Sequence, residues 1–438
     1  MTGSHSGGEE PLKQEIGRLG YSAIALNGVI GAGIFGLPAI AAARTGAFSP
    51  WMFLLCGALI LTVVLSLARA SSFFRSTGGP IVYASHAFGP FVGFQTGWIS
   101  YLSRVAAMAA NTNLLVTYAG WYWPALNSGW TRGAGIVVVL VGFTALNIIG
   151  VRRGMVTVYV LTLLKMLPLF LLVWVGLPHL EPELLISAEL PSPGILSETI
   201  LILLYAFVGF EGSVVPAGEG RNPRRDIPWA LTSTVVAIAL LYFLIQAISF
   251  AVTPNLASSE TPLADAAQAL MGTAGAALLT LGAVFSIGGN ISASILSAPR
   301  MTYALARDGS LPRWFAHVSL RFRTPSHSVL FYGAISLVLA LSGTFIWLAV
   351  MSTLVRLLAY GICIASLPQL EKVIGKHEGQ YRLPGGWLIP VIALLLCLWL
   401  VAQASMTAWL TVLALIALGS ALFLAERYIQ MREIPRKT

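Results

Sequence analysis

The sequence predicts an all-α polytopic membrane protein with about twelve transmembrane helices. Three observations predict it. First, the 438 residues are 57% hydrophobic and 10% charged, whereas a soluble domain carries about 25% charged residues. Second, apolar runs long enough to cross a bilayer recur along the chain, at 21–43, 50–74, 89–121, 132–150, 154–177, 197–218, 228–252, 268–305, 328–343, 345–367, 387–406 and 407–427. Third, the first and sixth of these runs are interrupted by glycine and proline, at a depth where a freed backbone group finds no water.

The net charge of +9 reports topology. Most lysines and arginines fall in segments that an inside N-terminus makes cytoplasmic, and the outer connections hold only Arg44 and Arg132. That asymmetry predicts that both termini face the cytoplasm, in the cell membrane, and gives no support to a nucleic-acid partner. Residues 1–20 are polar, lack the apolar core of a secretory signal, and read as a cytoplasmic tail. Residues 428–438 read as a second tail. Cys56, Cys363 and Cys397 sit inside apolar runs as core residues, and the six histidines fall in tails or connections. No ligand spacing supports a metal or a cofactor. The spans hold no HExxH, no paired aspartates and no Ser/His arrangement, so an enzyme is not expected.

Taken in order, the first run contains "LNGVIGAGIFGLPAI", with Gly28, Gly31, Gly33, Gly36 and Pro38 where a plain anchor would avoid helix breakers. The third contains "WISYLSRVAAMAANTNLL", with Arg104 in the apolar stretch and Asn111 and Asn113 on its expected inner face. The fifth contains "VLTLLKMLPLF". At 1.5 Å per residue, its Lys165 lies roughly 16 Å into the helix. The connection "GLPHLEPELLISAELPSPG" is acidic and proline-rich, as an exposed outer loop should be. The sixth run, "LILLYAFVGFEGSVVPAGE", is weakened by Gly209, Gly212, Pro216 and Gly218, and Glu211 lies roughly 21 Å along it. After it, Glu219 stands beside Arg221, Arg224 and Arg225, which predicts local ion pairs. Asp226 is expected to cap the seventh helix, with Pro228 in its first turn. The tenth run carries Arg356 in "STLVRLLAY". Each embedded charge costs roughly 2.5–3.5 kcal/mol on insertion scales, so each needs a partner, a cavity or a purpose.

The first and sixth helices enter the membrane from opposite sides. Matching breaks in oppositely oriented halves point to an inverted-repeat transporter: repeats at 21–177 and 197–367, then two further helices at 387–427. An unwound stretch frees N–H and C=O groups, and half-helix ends carry partial charges of opposite sign. Lining a cavity, such groups bind a zwitterion.

"GAGIF", "FVGFEGSVVPAGEGRNPRRDIPWAL" and "APRMTYALARDGSLPRWFAHV" resemble the glycine-rich first break, the sixth-helix break with its cytoplasmic signature, and the end of the eighth helix in the amino acid–polyamine–organocation (APC) superfamily. The resemblance runs from about Arg18 to the twelfth helix. It implies a LeuT-like 5+5 inverted repeat and secondary transport of amino acids by alternating access. By motif, the substrate carboxylate falls on the N–H groups of Ala32 and Gly33, with Gly31 making room. The ammonium falls on the carbonyls of Val29, Tyr205 and Val208. Phe210 becomes a gate or an aromatic wall. Many relatives carry Ser where this chain has Ala32, so a hydroxyl contact is absent here.

In sodium-independent relatives a lysine at the position of Lys165 resembles a substitute for the bound sodium ion. Transport is then proton-coupled if the lysine cycles between charged and neutral forms, and exchange if it stays charged. Glu211 either carries a proton or staples the unwound segment. Arg104 either faces the pocket or pairs elsewhere. With a head-group site made of backbone and walls of Ala, Val, Phe and Tyr, the expected substrate is a neutral L-amino acid. Two rival readings are a polyamine or organic-cation carrier, and a membrane amino acid sensor that does not transport.

Overall fold

The computed structural model describes residues 16–74, 78–149, 155–180, 182–186, 189–375 and 380–433. Residues 1–15 and 434–438, parts of the two expected tails, lie outside the described residues. So do residues 150–154, between the fourth and fifth runs. Among the described residues every regular element is helical, and one isolated bridge pairs Ile16 with Gly220.

The first run folds as α1 (Arg18–Val29) and α2 (Gly33–Thr45), and the second as α3 (Ser49–Ser71). A short helix, α4 (Pro80–Phe88), fills what the sequence left as a connection and carries His86. Then come α5 (Pro90–Ala119), α6 (Gly129–Ile149) and α7 (Met155–Gly176). The connection after α7 holds α8 (Pro182–Ile186), and the sixth run opens with α9 (Pro193–Leu203). The rest is α10 (Pro223–Val252), α11 (Pro262–Arg307), α12 (Ser326–Ser342), α13 (Phe345–Ile374), α14 (Leu388–Ala402) and α15 (Met406–Glu433).

Three details differ from expectation. The seventh helix begins five residues before Pro228, at Pro223, which takes the first-turn place where a missing N–H costs nothing. Asp226 therefore does not cap. Its Oδ1 accepts from Arg18 Nε at 2.9 Å, tying the start of α1 to α10. Helix α11 starts before residue 268 and contains one non-helical residue, Gly272 at φ +65°, a conformation only glycine adopts cheaply.

Eight helical segments among the described residues are long and apolar enough to cross a membrane. The chain is a multi-pass membrane protein. Val138, Leu163 and Trp174 are 71%, 67% and 77% exposed on the outer faces of α6 and α7, a surface that suits lipid and not water. Helix α5 is more polar, and Gln95, Thr96, Ser103, Asn111, Thr112 and Asn113 are all buried among its neighbours.

In lipid the helices associate through close packing and interhelical hydrogen bonds. Small residues sit at the crossings. A Cβ on Gly57 would lie 2.4 Å from Ala239 Cβ where α3 meets α10, and one on Gly333 would lie 2.5 Å from Thr144 Oγ1 where α12 meets α6. Four pairs of elements separated by five predicted spans touch: α1 with the unwound part of the sixth run, α3 with α10, α5 with α11, and α6 with α12. Helices α14 and α15 stand at the edge. The first packs on α3 and α13, the second on α5.

Candidate functional site

The first break is two turns of hydrogen bonding that fail to join. Ile30 N–H still reaches the Leu26 carbonyl at 2.9 Å, but Gly31 N–H turns back to Val29 O at 2.9 Å. Helix α2 restarts with the N–H groups of Phe35 and Gly36 both on Ala32 O, at 3.1 Å each. The N–H groups at the head of α2 thus have no preceding turn to bond to, and they carry the positive end of its dipole.

The carbonyls left over at the end of α1 are satisfied from two other helices. Lys165 Nζ, from α7, donates to Asn27 O at 3.1 Å and Ile30 O at 2.7 Å. Ser286 Oγ, from α11, donates to Ile30 O at 3.3 Å. Asn290 Nδ2, also from α11, reaches Asn27 O at 3.3 Å and Gly28 O at 3.2 Å. Lys165 is 1% exposed, so its ammonium is held by backbone oxygens and does not reach for an interface.

The second break begins before the first of the predicted breakers, Gly209. After Leu203 the chain tightens into a 3-10 turn over Leu204–Phe207, extends at Val208, and reverses at Gly209 with φ +112°. It then resumes as a second 3-10 turn, Phe210–Ser213. Glu211 holds the reversal. Its Oε2 accepts from Gly209 N–H at 2.9 Å and from the Tyr360 hydroxyl at 2.7 Å, and its Oε1 pairs with Arg356 Nη1 at 2.9 Å. The two charged side chains are 11% and 9% exposed. A charge buried this deeply is tolerated because each partner meets an opposite charge.

The two breaks meet backbone to backbone. A Cβ on Gly28 would stand 2.5 Å from Gly209 O, and one on Gly33 would stand 2.5 Å from Ala206 Cα. Beside this meeting point lies a cavity of about 30 Å³. The first break contributes Gly28, Val29, Gly31, Ala32 and Gly33 to it, and the second contributes Tyr205 and Val208. The remaining lining comes from Ala107 and Asn111 of α5, Asn290 of α11 and Arg356 of α13. An amide network stiffens one side: Tyr205 OH donates to Asn111 Oδ1 at 2.8 Å, and Asn111 Nδ2 donates to Asn290 Oδ1 at 2.8 Å.

Val29, Gly31, Ala32, Gly33, Tyr205 and Val208 are therefore brought to one cavity, while two other candidates lie elsewhere. Phe210 is fully buried against the Tyr360 ring, 5.4 Å between centroids, and does not line the cavity. Arg104 donates to Ser297 Oγ at 3.2 Å and is also absent from the lining. The arginine that reaches the cavity is Arg356. Sequence reasoning missed Ala107, Asn290 and the pairing of Arg356 with Glu211. The signal for Asn290 was an amide inside the small, apolar stretch "SIGGNISAS". Glu219 makes its contact through its carbonyl, which accepts from Ile16 N–H at 3.0 Å.

The sequence model of the amino acid permease family matches residues 16–424. The serine/threonine exchanger SteT of Bacillus subtilis is 27% identical over 399 residues, 87% of this chain and 89% of its own length. An uncharacterized transporter of Mycobacterium tuberculosis is 29% identical over 433 residues, 97% of this chain and 93% of its own. An uncharacterized protein of Methanocaldococcus jannaschii is 29% identical over 308 residues, 67% of this chain and 68% of its own. The match begins beside the α1 start that is clipped to Gly220, spans both helix breaks and ends within α15. The chain belongs to the amino acid permease family of the APC superfamily.

Proposed function

We propose that this protein exchanges small neutral L-amino acids across the cell membrane by alternating access, without sodium. The observation that carries the reading is the cavity at the meeting of the two breaks. The N–H groups at the head of α2, at Ala32 and Gly33, receive the substrate carboxylate. The carbonyls of Val29, Tyr205 and Val208 receive its ammonium. The similarity to a serine/threonine exchanger favours a small side chain. A guanidinium in its lining speaks against a polyamine.

Lys165 is the coupling residue in this proposal. It supplies hydrogen-bond donors to the carbonyls of Asn27 and Ile30, at the place where a bound sodium ion would meet them. Exchange is the mode favoured by the similarity to a serine/threonine exchanger. Glu211 acts through the shape of the second break. The halves 21–177 and 197–367 form a 5+5 inverted repeat followed by two helices, with both termini cytoplasmic. The contacts between elements five spans apart support that symmetry.

Proteoliposomes loaded with one amino acid and assayed for uptake of another test the proposal. Wild type is expected to transport with sodium replaced by choline, to need a counter-substrate inside, and to ignore an imposed proton gradient. Lys165→Ala is expected to lose most transport. A strict sodium requirement in wild type, or full transport by the alanine variant, overturns the sodium-free reading. Uphill uptake driven by protons into empty vesicles overturns exchange.

A further inference from the structure

Two cross-links join α5 to α11 in one antiparallel register. Asn111 Nδ2 donates to Asn290 Oδ1 at 2.8 Å, and Arg104 Nη1 donates to Ser297 Oγ at 3.2 Å. The second link lies about two turns from the first on both helices, roughly 10 Å along their axes. The shift is toward the start of α5, and the third run enters from the same side as the first, so it is toward the face where α1 begins. Asn111 and Asn290 line the cavity, and Arg104 and Ser297 do not. Arg104 still stands on the cavity-lining stripe of α5, one turn before Ala107.

The cations of this region differ in what they hold. Arg356 spends its charge on Glu211, and Lys165 sits on backbone carbonyls. The side chain of Arg104 bonds only to the Ser297 hydroxyl among the described residues, so its Nε and Nη2 are idle. Neither is sealed, in contrast to Arg356 Nε, and Arg104 is partly exposed beside an exposed Ser297. A guanidinium at mid-span turned to lipid is costly, and α5 is enclosed by α11, α12 and α13. The opening at Arg104 is therefore a gap between helices. Tyr332 OH fixes the backbone at this level, donating to Arg104 O at 2.9 Å.

We propose that Arg104, oriented by Ser297, is a second station for the substrate carboxylate, occupied as an amino acid passes between the cavity and the face where α1 begins. The inference rests on the reading of the cavity as an amino acid site and adds a step to its path. The idle Nε and Nη2 are neighbouring donors of one planar fork, the pair that grips a carboxylate from the side. Glu211 does not compete for them, because Arg356, Tyr360 and Gly209 already occupy its oxygens. The station lies on one side of the cavity, so its loss is felt at one face of the membrane.

The test compares KM for alanine, or for the neutral amino acid that wild type carries best, at the two faces. Intact cells present one face and inside-out vesicles the other. Arg104→Gln is expected to raise KM about tenfold at the face where α1 begins, the size of a hydrogen bond to a charged group, and to spare the opposite face. Ser297→Asp leaves Arg104 in place but occupies its fork with a carboxylate, and the same one-sided rise is expected. It serves if Arg104→Gln does not fold. An unchanged KM at both faces in whichever variant folds overturns the inference. An equal rise at both faces overturns it too, because Arg104 would then shape the cavity itself. A wild type that transports no neutral amino acid would instead remove the proposed function.

Discussion

Gly33 shows how much one hydrogen atom can decide. Its missing side chain leaves room for Ala206, whose Cα would lie 2.5 Å from any added Cβ, and backbone cannot bend aside as a flexible side chain does. Gly33→Val is therefore expected to abolish substrate binding while the protein still inserts and elutes as a single species in detergent. Gly33→Ala should weaken binding less, because alanine adds a smaller group. Unchanged affinity in the valine variant would make the first break a packing device. For Glu211 the sequence left two roles open, a proton carrier and a staple of the unwound segment. The pair with Arg356 makes the staple testable. Glu211→Leu leaves a buried guanidinium without its acid and should cost about 3–5 kcal/mol, measured as a fall in thermal stability in detergent. Glu211→Leu/Arg356→Met should recover much of that loss. A single variant as stable as wild type would show that the pair contributes nothing to holding the second break.

Much of this site was legible in the sequence, and the reason differs by residue. Glycines and a proline in an apolar run announce a break, because nothing else makes them affordable there. A lysine at mid-depth announces a need for oxygen partners, and it found two carbonyls at the end of α1, those of Asn27 and Ile30. Arg356 was visible as an embedded charge, but its partner was not. Glu211 and Arg356 are 145 positions apart, and only the packing of α13 on the unwound sixth run brings them together. Phe210 illustrates the opposite case. Proximity to the break along the chain did not bring it to the cavity, because a 3-10 turn rotates it toward Tyr360.

Between elements, the α1 start is fastened to the segment after the second break by three kinds of contact. Ile16 N–H donates to Glu219 O and Arg221 N–H donates to Ile16 O across the bridge, at 3.0 Å each, and Tyr21 OH donates to Pro216 O at 3.1 Å. The third is the Arg18–Asp226 pair, whose guanidinium also lies 5.7 Å from the centroid of the Trp229 ring. Arg18 is partly exposed, so the pair alone is worth about 1 kcal/mol or less. That is still enough to shift a balanced equilibrium between two conformations about fivefold. Arg18→Ala is therefore expected to leave stability almost unchanged and to raise labelling of a cysteine placed at Gly17. Exchanging the charges, Arg18→Asp with Asp226→Arg, should reduce labelling again. Equal labelling in all three would mean that the fastening does not control access.

For the molecule as a whole, the composition made membrane residence readable, and the order of the broken runs suggested a repeat. The boundaries of helices were less readable where proline could start one, as at Pro80 and Pro223. The proposed orientation makes a further expectation. Cysteines placed near residue 430 should react with an impermeant reagent only after the cell membrane is opened, whereas one at Ser192, in the outer loop, should react in intact cells. Reaction at both places in intact cells would reverse the assignment.

The contact between Gly28 and Gly209 has a mechanical consequence. Each presents only backbone to the other, with Gly209 O beside the face of Gly28 and Gly28 O beside the face of Gly209. Ordinary helix crossings interlock, and sliding them requires lifting side chains out of grooves. A surface without side chains has no teeth. Under the proposed alternating access, the two broken helices can slide past one another there as a plain bearing does, beside the cavity.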